Sequence, residues 1–259
     1  MNVKIKKNSQ DWATGKVILI TGGASGIGEA ATIRFSMAGA KVAIVDINET
    51  AGKNLVLRVN NSGGEAIFIK TDVTKSDDVQ NMVAETVKQF GALDFAFNNA
   101  GVEGKMGVAA AELAEEDWGR ILSINLTAVW RCMKHELQHM VVNGGGVIVN
   151  TSSTAGLASA VNSGAAYCAS KHGVIGLTKT AAKEYKAHNI RINAICPGGV
   201  NTPLLQRTTG GADISAIMEA NPGLIATPED VVEAVVWLFS QSSSIVNGHA
   251  LLLDNGMMA

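Results

Sequence analysis

Short apolar runs alternate with longer amphipathic segments along nearly the whole chain, and this alternation constrains the fold more than any other feature. The runs predict strands at 16–21, 40–46, 66–72, 93–99, 146–152, 190–195 and 250–254, separated by helices at 29–38, 49–60, 76–90, 117–142, 165–187 and 228–240. Strands this apolar are typical of a parallel sheet that is buried on both faces. The sequence therefore predicts an α/β fold, a doubly wound Rossmann-type sheet with right-handed crossovers.

One domain accounts for the whole chain, residues 1–259, because no internal repeat, low-complexity stretch or linker divides it. Residues 1–13 precede the first strand and are expected to form an N-terminal extension. Residues 201–227 are the one long irregular segment, in which glycine, proline and threonine surround a short apolar stretch. Long segments of this kind inside a compact domain are often functional. We expect this one to be a lid over a substrate.

The composition excludes several classes of function. With 47% hydrophobic and 17% charged residues, the chain is far from the disordered regime. Its net charge is −2 and its lysines and arginines are scattered, so it offers no footprint for nucleic acid or for an anionic membrane surface. No stretch reaches about 18 consecutive apolar residues, so no membrane span is expected.

The termini and the cysteines bear on the compartment. The basic N-terminal stretch MNVKIKKNSQDW is not followed by the apolar run of a signal peptide. Cys132, Cys168 and Cys196 lie far apart without a CxxC pair, which is typical of unpaired thiols in a reducing compartment. Together these features predict a cytoplasmic protein.

A glycine-rich turn, TGGASGIG at 21–28, joins the first predicted strand to the first predicted helix. Glycines at such a turn let the backbone approach a pyrophosphate, and the helix N-terminus offers free N–H groups and a positive dipole. Gly22, Gly26 and Gly28 give a GxxxGxG spacing, whereas Ala24 occupies the second glycine position of the more general GxGxxG fingerprint. A tight structural turn would explain the glycines alone, but their position in a βαβ pattern favours a dinucleotide.

Asp46 ends the second predicted strand about 20 residues beyond the glycine turn, where an acid can accept hydrogen bonds from the adenosine ribose hydroxyls. The same carboxylate would repel the 2′-phosphate of NADP. The turn carries no Lys or Arg to offset that repulsion, since Ser25 and Ile27 flank Gly26. The alternative is an aspartate that only caps the next helix. We predict the cofactor role and therefore NAD.

Tyr167 and Lys171 are spaced i, i+4, which places them on one face of a predicted helix. A tyrosine normally titrates at about pH 10, and a cation within a few ångströms moves its pKa towards the range of a general base. Ser153 follows the fifth predicted strand and so lies at the carboxyl edge of the sheet, where open α/β folds bind ligands. Asn125, inside the long helical segment, could hold a water or bend the helix by engaging the backbone.

These motifs, in this order and at these spacings, resemble the short-chain dehydrogenase/reductase family over about residues 14–259. The matching segments are TGGASGIG at 21–28, Asp72-Val73, NNAG at 98–101, Asn125, Ser153, YCASK at 167–171 and PGGVNT at 197–202. Within the family, NNAGVEGK and the run from AAYCASKHGVIGLTK onward are similar to levodione reductases and cyclohexanol-type dehydrogenases.

The resemblance implies a mostly parallel seven-stranded sheet, a homotetramer or dimer, and NAD-dependent interconversion of a secondary alcohol and a ketone. By the same carry-over Tyr167 is the general acid/base and Ser153 hydrogen-bonds the substrate oxygen. Lys171 lowers the pKa of the tyrosine and binds the nicotinamide ribose, while Asn125 completes a proton relay through water. The implied cofactor contacts are Gly22, Ser25, Gly26, Ile27, Gly28, Asp46, Ile47, Asp72, Val73, Asn99, Ala100, Gly101, Tyr167, Lys171, Pro197, Gly198, Val200 and Thr202.

One spacing departs from the family pattern. Ser153 and Tyr167 are 14 residues apart, one more than is usual, which predicts a small insertion within 157–165. If the extra residue preceded the serine instead, Thr154 would supply the hydroxyl. The stretch SSTAG aligns better with Ser153.

A second motif points to different chemistry: residues 135–139 spell HExxH, the zincin motif, on a predicted helix. A metalloprotease needs a third ligand and a cleft open to a peptide. Glu184 is the only plausible downstream acid on a helix, but it shares that helix with Tyr167 and Lys171. We therefore expect no metal, and interpret the motif as a chance pattern on a helix that packs against the sheet and a neighbouring subunit.

Two alternatives to an alcohol dehydrogenase remain. A non-catalytic nucleotide-sensing protein on the same fold would keep the glycine turn but lose part of the catalytic set, which is intact here. The other alternative is an NADPH-dependent 3-oxoacyl-type reductase. For an alcohol dehydrogenase or a 3-oxoacyl-type reductase, the expected partner is a small-molecule substrate. We expect the walls of its pocket to be Glu103, Ala155, Gly198, Gly199 and residues 201–227.

Overall fold

Seven parallel strands form the central sheet of the computed structural model, which describes residues 12–105, 107–159, 163–208, 214–220 and 223–259. The strands of the chain are β1 (Val17–Thr21), β2 (Lys41–Asp46), β3 (Glu65–Lys70), β4 (Phe95–Asn98), β5 (Gly146–Thr151), β6 (Ile190–Pro197), β7 (Gly199–Val200), β8 (Ile225–Ala226) and β9 (Ala250–Leu253). The sheet order is β3-β2-β1-β4-β5-β6-β9, and each neighbouring pair is parallel. This confirms the doubly wound sheet predicted from the sequence.

Helices cover both faces of this sheet. They are α1 (Gly26–Met37), α2 (Glu49–Asn61), α3 (Ser76–Phe90), α4 (Glu115–Leu122), α5 (Ala128–Val142), α6 (Ala165–Glu184), α7 (Pro203–Thr208), α8 (Ile214–Ala220) and α9 (Pro228–Phe239). Successive residues of β1 enter two different apolar clusters: Ile18 and Ile20 join one, and Leu19 joins the other. Because alternate side chains of a strand point to opposite faces, both faces must be apolar, which explains the unbroken apolar runs.

The predicted helix at 117–142 is three elements. Helix α4 ends at Leu122, a π turn covers Ser123–Thr127, and α5 begins at Ala128. Short π turns inside helices occur frequently at functional sites. Asn125 lies in this turn, and its contacts with the loop after β4 are described with the site.

Trp12 and Ala13, the last two residues of the predicted N-terminal extension, pack against the core. The Trp12 ring lies edge-on to Phe35 with ring centres 5.7 Å apart, and its centre is 6.0 Å from that of Phe95. Ala13 is fully buried. The remainder of the predicted N-terminal extension, residues 1–11, lies outside the described residues.

The segment 201–227 is more regular than predicted. It contains α7 and α8, and its β8 pairs with β7 in a separate two-stranded sheet. Residues 209–213 and 221–222 lie outside the described part of the chain. Among the helices of the described residues, none is long and apolar enough to cross a membrane.

Candidate active site

A cleft of about 350 Å³ lies at the carboxyl edge of β1, β4, β5 and β6. It brings together most of the predicted site residues: Gly22, Ser25, Gly26, Ile27, Asn99, Ala100, Gly101, Ser153, Tyr167, Lys171, Pro197, Gly198, Val200 and Thr202. Six predicted residues do not line it: Gly28, Asp46, Ile47, Asp72, Val73 and Asn125. Of the predicted pocket walls, Glu103, Gly198 and Gly199 line the cleft, whereas Ala155 is buried beneath it.

The glycine turn closes one end of the cleft in the manner that a pyrophosphate requires. Gly22 and Gly26 have φ values of 62° and 53°, a region that side-chain-bearing residues rarely adopt. A Cβ on Gly28 would collide with the carbonyl oxygen of Gly22, so the first turn of α1 packs directly on the loop. Ser25 begins α1 without a side-chain cap, which leaves the helix N-terminus facing the cleft. These residues fit a dinucleotide phosphate.

Asp46 is anchored to this turn. Its carboxylate accepts the Ala24 N–H at 3.1 Å and the Asn48 N–H at 2.9 Å. The contact with Ala24 holds the acid beside the glycine turn, although Asp46 is outside the cleft lining. Asn48, and not Asp46, caps α2, because the Asn48 side chain accepts the Ala51 N–H at 3.1 Å. Ile47 follows at the surface and is 65% exposed.

Asp72 and Val73 lie on the loop after β3, away from the cleft lining. The Asp72 carboxylate accepts the Thr74 N–H at 3.0 Å and the Thr74 hydroxyl at 2.7 Å. The bond with the Thr74 side chain is the main cause that holds the pKa of Asp72 below its usual value. Val73 is half-buried against the apolar cluster of α3 and α5. The structure gives these two residues a role in shaping the loop.

Ser153, Tyr167 and Lys171 converge inside the cleft. The Tyr167 hydroxyl is hydrogen-bonded to the Ser153 side chain, and the Ser153 hydroxyl also accepts the Ala155 N–H at 3.2 Å. Lys171, one turn after Tyr167 on α6, donates from Nζ to the Thr151 carbonyl at 2.9 Å. Its Nζ lies 5.5 Å from the centre of the Tyr167 ring. The end of β5 and the first turn of α6 thus hold the three side chains together.

The alternative hydroxyl, Thr154, also lines the cleft. Ser153 is the one bonded to Tyr167, which favours the alignment that places the extra residue after the serine. Residues 160–162 of that predicted insertion lie outside the described chain.

Burial dominates the electrostatics of this group. It raises the pKa of the Tyr167 hydroxyl above its ordinary value of 10.0, and the bond with Ser153 opposes the rise. It also lowers the pKa of Lys171 to about 8. Lys171 is not among the groups that set the pKa of Tyr167, so the lowering expected from it stays a prediction.

Asn125 engages the backbone, which was one of its two predicted roles. Its side-chain oxygen accepts the Val102 N–H at 2.8 Å, and its amide nitrogen donates to the Val102 carbonyl at 2.9 Å. The side chain is fully buried and sits in the π turn between α4 and α5. Asn125 thus fixes the loop after β4. Both polar atoms of its side chain are engaged in these hydrogen bonds with Val102, which the expected relay through water did not include.

The HExxH motif does not face a cleft. Glu136 points into the interior, where its Oε2 accepts the Asn98 amide at 3.0 Å, so it cannot act on a metal-bound water at the surface. Across the described residues, no group of three or more His, Cys, Asp or Glu side chains is arranged to hold a metal ion.

An ion pair that the sequence did not predict spans the cleft mouth. Arg207 on α7 donates from Nε and Nη2 to the two carboxylate oxygens of Glu103 at 2.9 and 3.1 Å. Both residues line the cleft. They are far apart in sequence and belong to no periodic pattern, so no local signal could have linked them.

Known proteins resemble this chain over nearly its whole length. Residues 22–258 match the profile of a family described as enoyl-(acyl carrier protein) reductase. The chain is 40% identical to the 2,5-dichloro-2,5-cyclohexadiene-1,4-diol dehydrogenase of Sphingobium indicum, over 95% of this chain and 98% of the relative. It is 39% identical to the cyclohexanol dehydrogenase of an Acinetobacter species, over 92% of this chain and 93% of the relative.

A solved structure of levodione reductase is similar in fold, with a TM-score of 0.87 and 33% sequence identity, covering 94% of this chain and 97% of that one. These matches confirm the resemblance inferred from the motifs, including its likeness to levodione reductases and cyclohexanol-type enzymes.

Proposed function

Because this chain belongs to the short-chain dehydrogenase/reductase family, whose members similar to it include alcohol and diol dehydrogenases, we propose that it is an NAD(H)-dependent enzyme that interconverts a secondary alcohol and a ketone. One observation carries the proposal. The hydroxyl of Tyr167, bonded to Ser153 and close to Lys171, opens into the same cleft as the glycine turn. A substrate carbon would there lie between an acid/base and a nicotinamide.

In the proposed reaction the alcohol gives its hydroxyl proton to the phenolate form of Tyr167 while a hydride leaves the same carbon, so that the carbon–oxygen bond becomes the carbonyl of a ketone. The nicotinamide cofactor would accept that hydride, and its oxidised ring would add a positive charge near the tyrosine. Ser153 would hold the reacting oxygen beside Tyr167. Lys171, kept in place by the Thr151 carbonyl, would bind the nicotinamide ribose.

The substrate class we propose is a secondary alcohol on a six-membered ring. Support comes from two relatives whose names specify cyclohexanol and a cyclohexadiene diol. The cleft also suits a neutral polar substrate, because Glu103 and Arg207 in its lining are paired with each other and Lys171, the other charged side chain among the described lining residues, donates to the Thr151 carbonyl. Because Glu103 and Arg207 neutralise each other, neither offers a free charge that would select an ionised substrate.

We further propose that the enzyme works in the cytoplasm as a homotetramer or dimer. Support for assembly comes from large apolar side chains that the single chain leaves exposed: Trp130 and Val142 on α5, and Ile245, Leu252 and Met257 near the C-terminus. Exposed apolar surface of this kind is typical of an interface between subunits.

The direct test is turnover of an alcohol panel followed by the absorbance of reduced nicotinamide. The panel comprises cyclohexanol, cyclohexane diols, open-chain secondary alcohols, sugar alcohols and, in the reverse direction, a 3-oxoacyl thioester, each with both coenzymes. We expect the highest kcat/KM for a cyclic alcohol with NAD. Preference for the thioester with NADPH would instead identify a 3-oxoacyl-type reductase, and cofactor binding without turnover on any compound would identify a nucleotide sensor.

We also propose that residues 201–227 act as a lid whose first helix, α7, is tied to the body of the protein by the Glu103–Arg207 pair. Closure of such a segment can exclude water from the reacting centre. On addition of NADH and an unreactive substrate analogue, amide hydrogen exchange in peptides covering 201–208 is expected to slow, whereas peptides from α9 should not change. Equal exchange with and without ligands would contradict the lid.

The ion pair makes a smaller, separate contribution. A partly exposed pair is worth about 0–1 kcal/mol, so Arg207→Met is expected to speed exchange in α7 of the free protein by no more than about fivefold. The matched control is Arg34→Met, which breaks a similar pair with Glu233, 2.6 Å long and remote from the cleft. That variant should leave exchange in α7 unchanged.

A further inference from the structure

A carboxyl group lies in the interior of the protein without a cation. Glu136, on α5, is fully buried, and among the described residues no lysine, arginine or histidine forms an ion pair with it. An ionised carboxylate in that environment costs several kcal/mol unless it is fully hydrogen-bonded. The groups around Glu136 therefore determine whether its carboxyl group is protonated.

Those neighbours form a chain of amides that joins two adjacent strands on one face of the sheet. The Asn98 amide nitrogen donates to Glu136 Oε2 at 3.0 Å and to Asn150 Oδ1 at 3.1 Å. The Asn150 amide nitrogen in turn donates to the Thr178 hydroxyl at 2.9 Å and contacts the Met133 sulfur at 3.2 Å. The network connects α5 through β4 and β5 to α6, the helix that carries Tyr167 and Lys171.

Two acceptor atoms in this network have no donor. Glu136 Oε1 and Asn98 Oδ1 are both buried, and neither has a hydrogen-bond partner among the described residues. They belong to the two groups that are already joined by the bond from Asn98 to Glu136 Oε2. A proton on Oε1 turns that atom into a donor and supplies the one thing that Asn98 Oδ1 lacks. A neutral acid and a primary amide can then exchange two hydrogen bonds.

We propose that Glu136 is protonated at neutral pH and closes a reciprocal pair of hydrogen bonds with Asn98, as a positioning residue for the end of β4. Asn98 is followed by Asn99, whose N–H is bonded to the Thr21 hydroxyl at 3.0 Å. The Asn99 side chain reaches the carbonyls of Thr21 and Gly22, each at 3.4 Å. Glu136 thereby fixes, through Asn98, the loop that lines the cleft beside the glycine turn.

The charges around Glu136 agree with a neutral acid. Burial raises its pKa to about 8, against the opposing effect of the Asn98 hydrogen bond. From β4, β5 and α6 it is faced by uncharged Asn98, Asn150 and Thr178, and the buried cation of α6, Lys171, donates to Thr151 instead. The side chains that α3 buries against this region are Val79, Met82, Val83 and Thr86. The titratable or charged neighbours on its own helix are Arg131, Cys132, Lys134, His135 and His139. The pKa of Cys132 is raised by burial and then by Glu136.

The sign of the pH effect follows from the raised pKa. Between the ordinary glutamate value of 4.5 and about 8, the folded protein holds one proton that the unfolded chain has lost. Each such proton shifts the unfolding equilibrium by about tenfold per pH unit. The contribution of Glu136 to stability is greatest below its unfolded pKa, falls as the pH rises through this window, and is constant above the folded pKa.

The experiment compares denaturant unfolding of the full chain and its Glu136→Gln variant from about pH 5 to about pH 9. The amide of Gln keeps both hydrogen bonds with Asn98 but does not titrate. Relative to E136Q, the wild type is expected to lose stability by up to about tenfold per pH unit between pH 5 and pH 8. The matched control, Glu184→Gln at an exposed position of α6, should follow the wild type.

An infrared spectrum gives a second readout that needs no turnover. The wild type at neutral pH is expected to show the carbonyl band of a neutral carboxylic acid, and E136Q should lack it. If E136Q does not fold, Glu136→Met serves as the second non-titrating variant. Parallel stability curves for wild type and variant, or no neutral-acid band in the wild type, would overturn the proposal. The effect of Glu136 on the cleft rests on the proposed function, whereas the stability curves and the infrared band do not. A failure of this proposal can therefore be distinguished from a failure of the proposed function.

Discussion

Tyr167→Phe is expected to lower kcat by about a hundredfold to ten-thousandfold while NADH still binds, since that is the usual contribution of a positioned proton-transfer group. The change removes only a hydroxyl, and the aromatic ring that packs near Lys171 remains. Ser153 cannot replace it, because an unassisted serine hydroxyl is a far weaker base at neutral pH. Steady-state oxidation of a cyclic alcohol gives kcat, and a fluorescence titration with NADH gives the affinity.

The chain contains one other tyrosine, which supplies the matched control. Tyr185 lies at the end of α6 with its ring 6.1 Å from that of His188, outside the cleft lining. Tyr185→Phe removes the same hydroxyl and should leave kcat and NADH affinity unchanged. If Tyr167→Phe kept more than about a tenth of the activity, the proton would be passing through another group and the assignment of Tyr167 would be wrong.

Coenzyme choice is the second large effect: the enzyme is expected to prefer NAD to NADP by at least about tenfold to a hundredfold in kcat/KM. NADP would bring a phosphate close to the Asp46 carboxylate, and like charges a few ångströms apart cost on the order of a few kcal/mol at an effective dielectric constant of about 20. The Ala24 N–H holds that carboxylate beside the glycine turn. Asp46→Ser combined with Ile47→Arg should shrink or reverse the preference, because a guanidinium can pair with phosphate.

A control separates charge from structure in this experiment, because Asp46 also accepts two backbone N–H groups. Asp46→Asn keeps one acceptor oxygen and loses the charge, so it should weaken the NAD preference with little loss of stability. Ile47→Arg alone, at an exposed position, tests whether the guanidinium suffices. The measurement is kcat/KM for both coenzymes at one salt concentration. Equal use of NAD and NADP by the wild type would mean that Asp46 does not meet the ribose.

The sequence could predict the sheet because strand burial on both faces leaves a direct trace in composition. Every residue of β1 is buried, and the apolar run 16–21 differs from it by a single residue. The break in the helix at 123–127 left only one trace, Asn125 inside the helical segment, which could equally have held a water. Its cause is a pair of hydrogen bonds from Asn125 to Val102, two residues that lie in different elements, and helical periodicity continues on both sides of the turn.

The candidate site was predictable where a local motif implies a local geometry, as with Tyr167 and Lys171 on successive turns of α6. It was not predictable where a side chain depends on distant partners. Arg207 meets Glu103 across the cleft only because α7 folds back over the loop after β4. The sequence indicated only that Glu136 belongs to a chance pattern on a helix packed against the sheet and a neighbouring subunit; in the structure it points towards Asn98 in the core. Spacing alone does not say which way a helix is rotated.

The strand order also determines how the sheet can be assembled during synthesis. The chain begins in the middle of the sheet at β1 and extends to one edge through β2 and β3, then crosses back once to place β4 on the other side of β1. From β4 onward, β5, β6 and β9 each add next to the strand before them in the sheet. A nascent chain can therefore pair its first three strands before β4 emerges from the ribosome, and among the strands of this sheet only the step from β3 to β4 places a strand that does not lie beside its predecessor. Until β4 arrives, one edge of β1 stays unpaired, and an unpaired strand edge is open to edge-to-edge association.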